Sequence, residues 1–191
     1  LAGIPSNITV ECSAIPPVPS SSGAGAAITA TDNCDADVQI SFVETTTPNT
    51  ECPALTDLIR TWTATDDCGN TSSQSQIIHK IDTTDPVLAG IPSNITVECS
   101  AIPPVPASSG AGAAITATDN CDADVAITFV ETTTPNTECP ALTDLIRTWT
   151  ATDDCGNTSS QSQIIHKIDT TDPILAGIPS NITVECSAIP P

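Results

Sequence analysis

The chain has no methionine and no tyrosine, only two tryptophans and two phenylalanines, and four lysines and arginines against 23 acidic residues. So few large apolar side chains in 191 residues leave thin cores, and something besides burial must hold the structure. The formal net charge of -19 excludes a nucleic-acid partner, and such a chain self-repels unless cations neutralise it. Runs of 18 apolar residues are also missing, so no membrane span is expected in this segment; any export signal or anchor is expected outside it. Catalytic signatures are missing too: there is no GxSxG, HExxH or glycine-rich phosphate loop, and the only histidines are His79 and His166. A carboxylate pair such as Asp66 and Asp67, without an aromatic-lined cleft and copied in every unit, does not make a glycosidase. The chain is expected not to be an enzyme.

What the chain has is repetition. Leu1 laid on Leu88, and Leu88 on Leu175, gives a period of 87 residues. The two full copies differ only at Ser20/Ala107, Gln39/Ala126, Ser41/Thr128 and Val87/Ile174. Residues 1–87 and 88–174 are read as two units, with linkers at 82–87 and 169–174, and 175–191 as the first strand of a third. The period is too long for a helical solenoid and suits an independent module. Near-identity predicts a window onto a longer tandem array.

Period-2 alternation predicts strands over Asn7–Cys12, Ala26–Thr31, Val38–Val43, Leu58–Thr65 and Gln74–Ile81. Pro-rich and Asx/Gly-rich connections separate them, among them DNCDAD and DDCGNTSS. The expected fold is all-β: tandem β-sandwich modules stapled by disulfides. Arg60 falls at an in-facing position and needs a partner such as Glu44, or a rim location.

Each unit carries four cysteines: Cys12, Cys34, Cys52 and Cys68, then Cys99, Cys121, Cys139 and Cys155, with Cys186 following. Three connectivities are open within a unit. Alternating strand directions put Cys12 and Cys52 at one end and Cys34 and Cys68 at the other. Pairing Cys12 with Cys52 and Cys34 with Cys68 follows, with Cys99–Cys139 and Cys121–Cys155 in the second unit. The competing phase joins Cys52 to Cys99 and Cys139 to Cys186. Even cysteine counts in small modules point to an oxidising compartment, outside the cell or in a periplasm.

The aspartates cluster. Asp32, Asn33, Asp35 and Asp37 form one group, Asp66, Asp67 and Asn70 a second, and Asp82 and Asp85 a pair in the linker. Strand direction carries Asp82 and Asp85 to the lower end of the next unit, where Asp119, Asn120, Asp122, Asp124, Asp153, Asp154 and Asn157 are expected. Asp169 and Asp172 repeat the linker pair. Grouped carboxylate and amide oxygens are hard ligands, and Ca²⁺ is the expected cation, clamped between units while Pro86 stiffens the linker. The sequons at Asn7, Asn70, Asn94, Asn157 and Asn181, and the hydroxyls of Thr83 and Thr84, are candidate glycosylation sites.

ITATDNC, RTWTATDDCGNTSS and the DTTDP linker leading to IPSNITVEC resemble the hyalin-repeat (HYR) class of immunoglobulin-like modules, especially cysteine-containing versions in large bacterial surface proteins. The resemblance covers each whole unit. It implies an extracellular, cell-surface β-sandwich used in tandem for adhesion or as a stalk. Its partners would be neighbouring repeats, other copies in a fibre, or glycans. A structural stalk or filament is the leading expectation; an adhesin whose units bind a glycan, a host surface or, through the Thr-x-Thr rows of TATD and TWTATD, ice is the alternative.

Overall fold

The computed structural model describes residues 1–22, 27–109 and 114–185. Among these the regular elements are β-strands: β1 Ile8–Glu11, β2 Gln39–Pro48, β3 Thr56–Thr65, β4 Thr71–Ile81, β5 Val87–Ala89, β6 Ile95–Glu98, β7 Thr116–Thr118, β8 Ala126–Pro135, β9 Thr143–Thr152 and β10 Thr158–Ile168. The fold is all-β, in two modules of immunoglobulin-like sandwich architecture.

In each module the principal sheet has four strands, in the order β1-β4-β3-β2 and then β6-β10-β9-β8. The first strand runs parallel to the last, as Ile8 beside Ile78 and Ile95 beside Ile165, and the other pairs are antiparallel. A second, smaller layer faces the sheet. In the second module it is β5 against β7, with Leu88 opposite Ala117; in the first it is a single bridge between Ala2 and Thr29. The predicted strand at Ala26–Thr31 therefore shortens to that bridge, and its first residue lies outside the described residues. The strand predicted at Val38–Val43 runs on to Pro48. Thr45–Thr47 show no alternation, but ladder pairing with Ile59–Asp57 carries the strand through them.

Between the two layers lies the core. Leu88, Ile115, Trp149 and Ala151 are buried together, with Ile91, Val125, Ile127 and Phe129 against them. The Phe129 and Trp149 rings sit 5.2 Å apart and tilted, an arrangement repeated by Phe42 and Trp62. Leu88 comes from the segment that follows the linker, so crossing from one module to the next is part of building the second core. Val87, the last residue of the expected linker, is the first residue of β5. Gly90 makes the turn out of β5 at φ 82°, and a Cβ there would stand 2.0 Å from the Ala114 carbonyl oxygen, so only glycine fits.

The buried arginine finds the expected partner: Arg60 is 4% exposed, with Nε 2.7 Å from Glu44, and Arg147 repeats this with Glu131 at 2.8 Å. Arg147 also donates to the Pro103 carbonyl at 2.9 Å, tying the Pro-rich segment down on the sheet.

Strand directions are as the sequence indicated, yet the disulfides differ from both expected schemes. Cys12 is bonded to Cys121 and Cys52 to Cys155, with Cα separations of 5.9 and 4.9 Å. Both bridges cross the joint. Cys12 follows β1 and Cys52 follows β2, and these are opposite edges of the sheet. Three interstrand spacings put them ~14 Å apart, too far for a bond between cysteines at one end of a module. The lower end of the next module supplies partners instead. Cys34, Cys68, Cys99 and Cys139 are unbonded, so the expected pairs Cys34–Cys68, Cys99–Cys139 and Cys121–Cys155 do not form.

Candidate metal centre

Three pieces of chain meet between the two bridges: Glu11 at the end of β1, the linker from Asp82 to Pro86, and the second module's loops at Asp119–Asp124 and Asp153–Asn157. The loops are shaped by their own side chains. Asp119 Oδ1 accepts the N–H groups of Cys121 and Asp122 at 2.8 and 3.1 Å, and Asp153 Oδ1 those of Cys155 and Asn157 at 2.9 and 2.8 Å. These are Asx turns, which short acidic side chains form by capping the backbone after them. They also orient the two cysteines that close the joint.

The linker is fixed at several points. Thr83 donates both its N–H and its hydroxyl to Glu11 Oε1. Asp82 Oδ1 accepts the Thr84 N–H at 3.1 Å, and the Asn157 side-chain amide donates to the Asp82 carbonyl at 3.1 Å and to Asp153 Oδ2 at 2.8 Å. Pro86 is fully buried, and its carbonyl accepts the Ser159 hydroxyl at 2.5 Å.

After this pairing, oxygens are left over. Glu11 Oε2, Asp82 Oδ2 and Asp119 Oδ2 are shielded from solvent and have no hydrogen-bond partner. Oxygens of Glu11 and Asp82 lie within 4.8 Å of each other, as do those of Asp82 and Asp153. The neighbouring sulfurs of Cys121 and Cys155 are committed to bridges, which leaves an all-oxygen donor set. Burial, followed by repulsion from Asp119, Asp153 and Glu11, raises the pKa of Asp82 above the ordinary 3.8, although the Thr84 N–H opposes it. Asp153 goes the other way: burial would raise it, but hydrogen bonds from Asn157, Cys155 and Gly156 outweigh that and lower it. One carboxyl of the group is thus firmly ionised and its neighbour is ionised against repulsion. A hard cation would relieve both the charge and the unpaired oxygens.

Of the expected ligands, the structure gathers Asp82, Asp119 and Asp153. Asp122 and Asn157 support them: Asp122 receives the N–H groups of Asp124 and Asp154 at 2.7 and 3.0 Å. Asn120 donates to the Ser13 hydroxyl at 3.3 Å across the joint. Asp85, Asp124 and Asp154 are exposed. In the first module Asp32, Asp35, Asp37, Asp66 and Asp67 make the same loops without a linker carboxylate above them, as in the Asp67 N–H to Asp35 contact of 3.0 Å. Asp169 and Asp172 are exposed. Glu11 is the ligand candidate that sequence reasoning missed. Its signal was available, since the strand direction that put Cys12 at the linker end puts Glu11 there too.

Among the glycosylation candidates, Asn157 and Thr83 have their polar atoms engaged in the joint, and Asn70 donates to Asp66 at 2.6 Å. Asn7 and Asn94 accept the Ile77 and Ile164 N–H groups on their carbonyl oxygens at 2.8 Å, and among the described residues their amide nitrogens carry no hydrogen bond. The Thr rows on the open sheet face pair with serines, Thr61 with Ser75 at 2.8 Å and Thr63 with Ser73 at 2.7 Å.

Fold and joint together define a class: tandem β-sandwiches braced to each other by disulfides around a carboxylate cluster. No protein-family model matches the chain, and no curated protein matches it.

Proposed function

We propose that the chain is a length of an extracellular structural array, a stalk or filament at a cell surface, whose joints bind Ca²⁺ and are thereby stiffened. The resemblance to HYR-type modules and the use of disulfides as braces support the compartment and the role; among the described residues no helix is long and apolar enough to cross a membrane. No catalytic role is assigned to any residue in this reading.

The observation that carries it is the set of three buried, unpartnered carboxylate oxygens on Glu11, Asp82 and Asp119. The counterparts of Asp82 and Asp119 at the open ends, Asp169 and Asp32, are exposed, so their burial arises where two modules meet; Glu98, the counterpart of Glu11, has its Oε2 partnered by the Thr170 N–H at 3.4 Å. Each such oxygen, shielded and unsatisfied, costs about 1–3 kcal/mol or more. Ca²⁺, which takes six to eight oxygens in flexible geometry, removes that cost and draws further donors from backbone and water.

Thermal unfolding of the oxidised chain with Ca²⁺ and with chelator tests this. Ca²⁺ is expected to raise Tm, with isothermal titration giving one tight site per joint, since a ligand bound only by the folded state stabilises it. Equal Tm in both conditions, with no titration heat, would remove the cation from the proposal.

A further inference from the structure

Leu1–Glu11, Leu88–Glu98 and Leu175–Glu185 have one sequence. The first two copies are docked. Ala2 bridges Thr29 and Ile8–Glu11 lies along Ile78–Ile81; Leu88 is 6% exposed in the second core and Ile95–Glu98 lies along Ile165–Ile168. The third copy touches no such sheet. Leu175 is 81% exposed, Ile178 69% and Ile182 70%, although Gly177 already takes a positive φ of 75°, close to the 82° of Gly3 and Gly90 in their docked copies.

The same end of the second module carries the other parts of a joint. Glu98 accepts the Thr170 N–H and hydroxyl as Glu11 accepts those of Thr83. Cys99 and Cys139, the counterparts of the bridged Cys12 and Cys52, are unbonded, and an oxygen of Asp169 lies within 4.8 Å of Glu98 and Cys99 ligand atoms. At the opposite end, Cys34 and Cys68, counterparts of the bridged Cys121 and Cys155, are exposed and unbonded.

We propose that Leu175–Glu185, with the thiols of Cys99 and Cys139, is a docking end for one partner, a further module of this same repeat. The segment would supply that module's first strands and its core leucine. The two thiols would be oxidised with the module's counterparts of Cys121 and Cys155, each bridge forming from two thiols with loss of two protons and two electrons to a disulfide oxidant such as oxidised glutathione. This deepens the array reading above and rests on it, but it does not depend on the cation.

The test compares the 191-residue chain with one lengthened by a repeat, in which the sequence of residues 105–191 is appended after Pro191. Both are oxidised in a glutathione buffer containing chelator, so that failure of the Ca²⁺ site cannot mask the result. In the lengthened chain, peptide mapping is expected to find Cys99 and Cys139 each bonded to the added module; in the parent chain both are expected as free thiols that react with iodoacetamide or as mixed disulfides with glutathione. Leu175→Asp is expected to lower the Tm of the lengthened chain by several degrees and leave the parent unchanged. Cys99 and Cys139 still alkylatable in the lengthened chain, or bonded to each other, would overturn the proposal. So would a Leu175→Asp variant with the same Tm as the unsubstituted lengthened chain.

Discussion

Burial and the carboxylates of Asp119, Asp153 and Glu11 hold Asp82 above the usual carboxylate range. A folded pKa raised above the unfolded 3.8 means that the folded state holds the proton more tightly. The chelated joint therefore loses stability as pH rises from about 3.8 through the raised value. Asp153, lowered, gives the opposite slope below 3.8. Asp82→Asn keeps the oxygen that accepts the Thr84 N–H and replaces the unpartnered Oδ2 with a donor facing carboxylates. At pH 7 in chelator the variant is expected to melt at or a few degrees above the parent, since ~1 kcal/mol moves Tm by about 2–4 °C at this size. In Ca²⁺ the order is expected to reverse. A variant less stable than the parent in both conditions would mean that Asp82 is a structural residue and not a ligand.

At the level of strands, a second titrating network braces the loop that carries Cys52. Asn49, 4% exposed, donates to Asp57 at 2.6 Å and to the Lys80 carbonyl at 2.5 Å, and accepts the N–H groups of Glu51 and Cys52 at 2.9 Å. His79 on β4 meets Asp57 at 2.7 Å and Glu51 at 3.4 Å; the Asp57 hydrogen bond first, then Glu51, raises its pKa above 6.5 against desolvation. Burial pushes Asp57 up, but His79 and the Lys80 N–H outweigh it, and its pKa falls below 3.8. The Asp57 contribution is present above 3.8 and lost as pH falls. The His79 contribution is full below 6.5 and fades as pH rises through the raised value. Urea midpoints are expected to drop as pH rises above 6.5 through the raised value in the parent, and to stay flat in a His79→Gln/His166→Gln double variant; parallel profiles would exclude the histidines as the cause. The sequence carried the strand directions, the two ends of each module and the Arg60 partner, because alternation and turn residues are local signals. Lateral strand order was not legible. It depends on pairing β1 with β4, 70 residues away, and that order decides which cysteines are in reach. The polar Thr45–Thr47 stretch of β2 was hidden for a similar reason, since only its partner β3 makes it a strand.

Across the whole molecule, the crossed bridges change what tension can do. Cys12–Cys121 spans 109 residues and Cys52–Cys155 spans 103. A force applied at the two termini reaches Cys12 and passes directly to Cys121, so the chain between them is shielded even if both modules unfold. At about 3.5 Å per extended residue, the Cys12–Cys121 bridge withholds ~380 Å of contour that reduction would release. Bridges inside each module, Cys12–Cys52 and Cys99–Cys139, would withhold roughly 280 Å, so the measurement also separates the two connectivities. Pulling single molecules from both termini, oxidised and then with reductant, is expected to show a contour difference near the first figure; the second figure, or no difference, would refute the crossed arrangement. In an array continued through Cys99 and Cys139, the shortest covalent path through a module runs from Cys139 to Cys155, about 16 residues or ~56 Å, against ~300 Å for the 87-residue repeat. A folded strand of 11 residues such as β10 already spans ~37 Å. An oxidised module could then stretch to less than twice its folded length before covalent bonds carry the load, which suits a stalk that must hold its length and defeats one that must act as a spring.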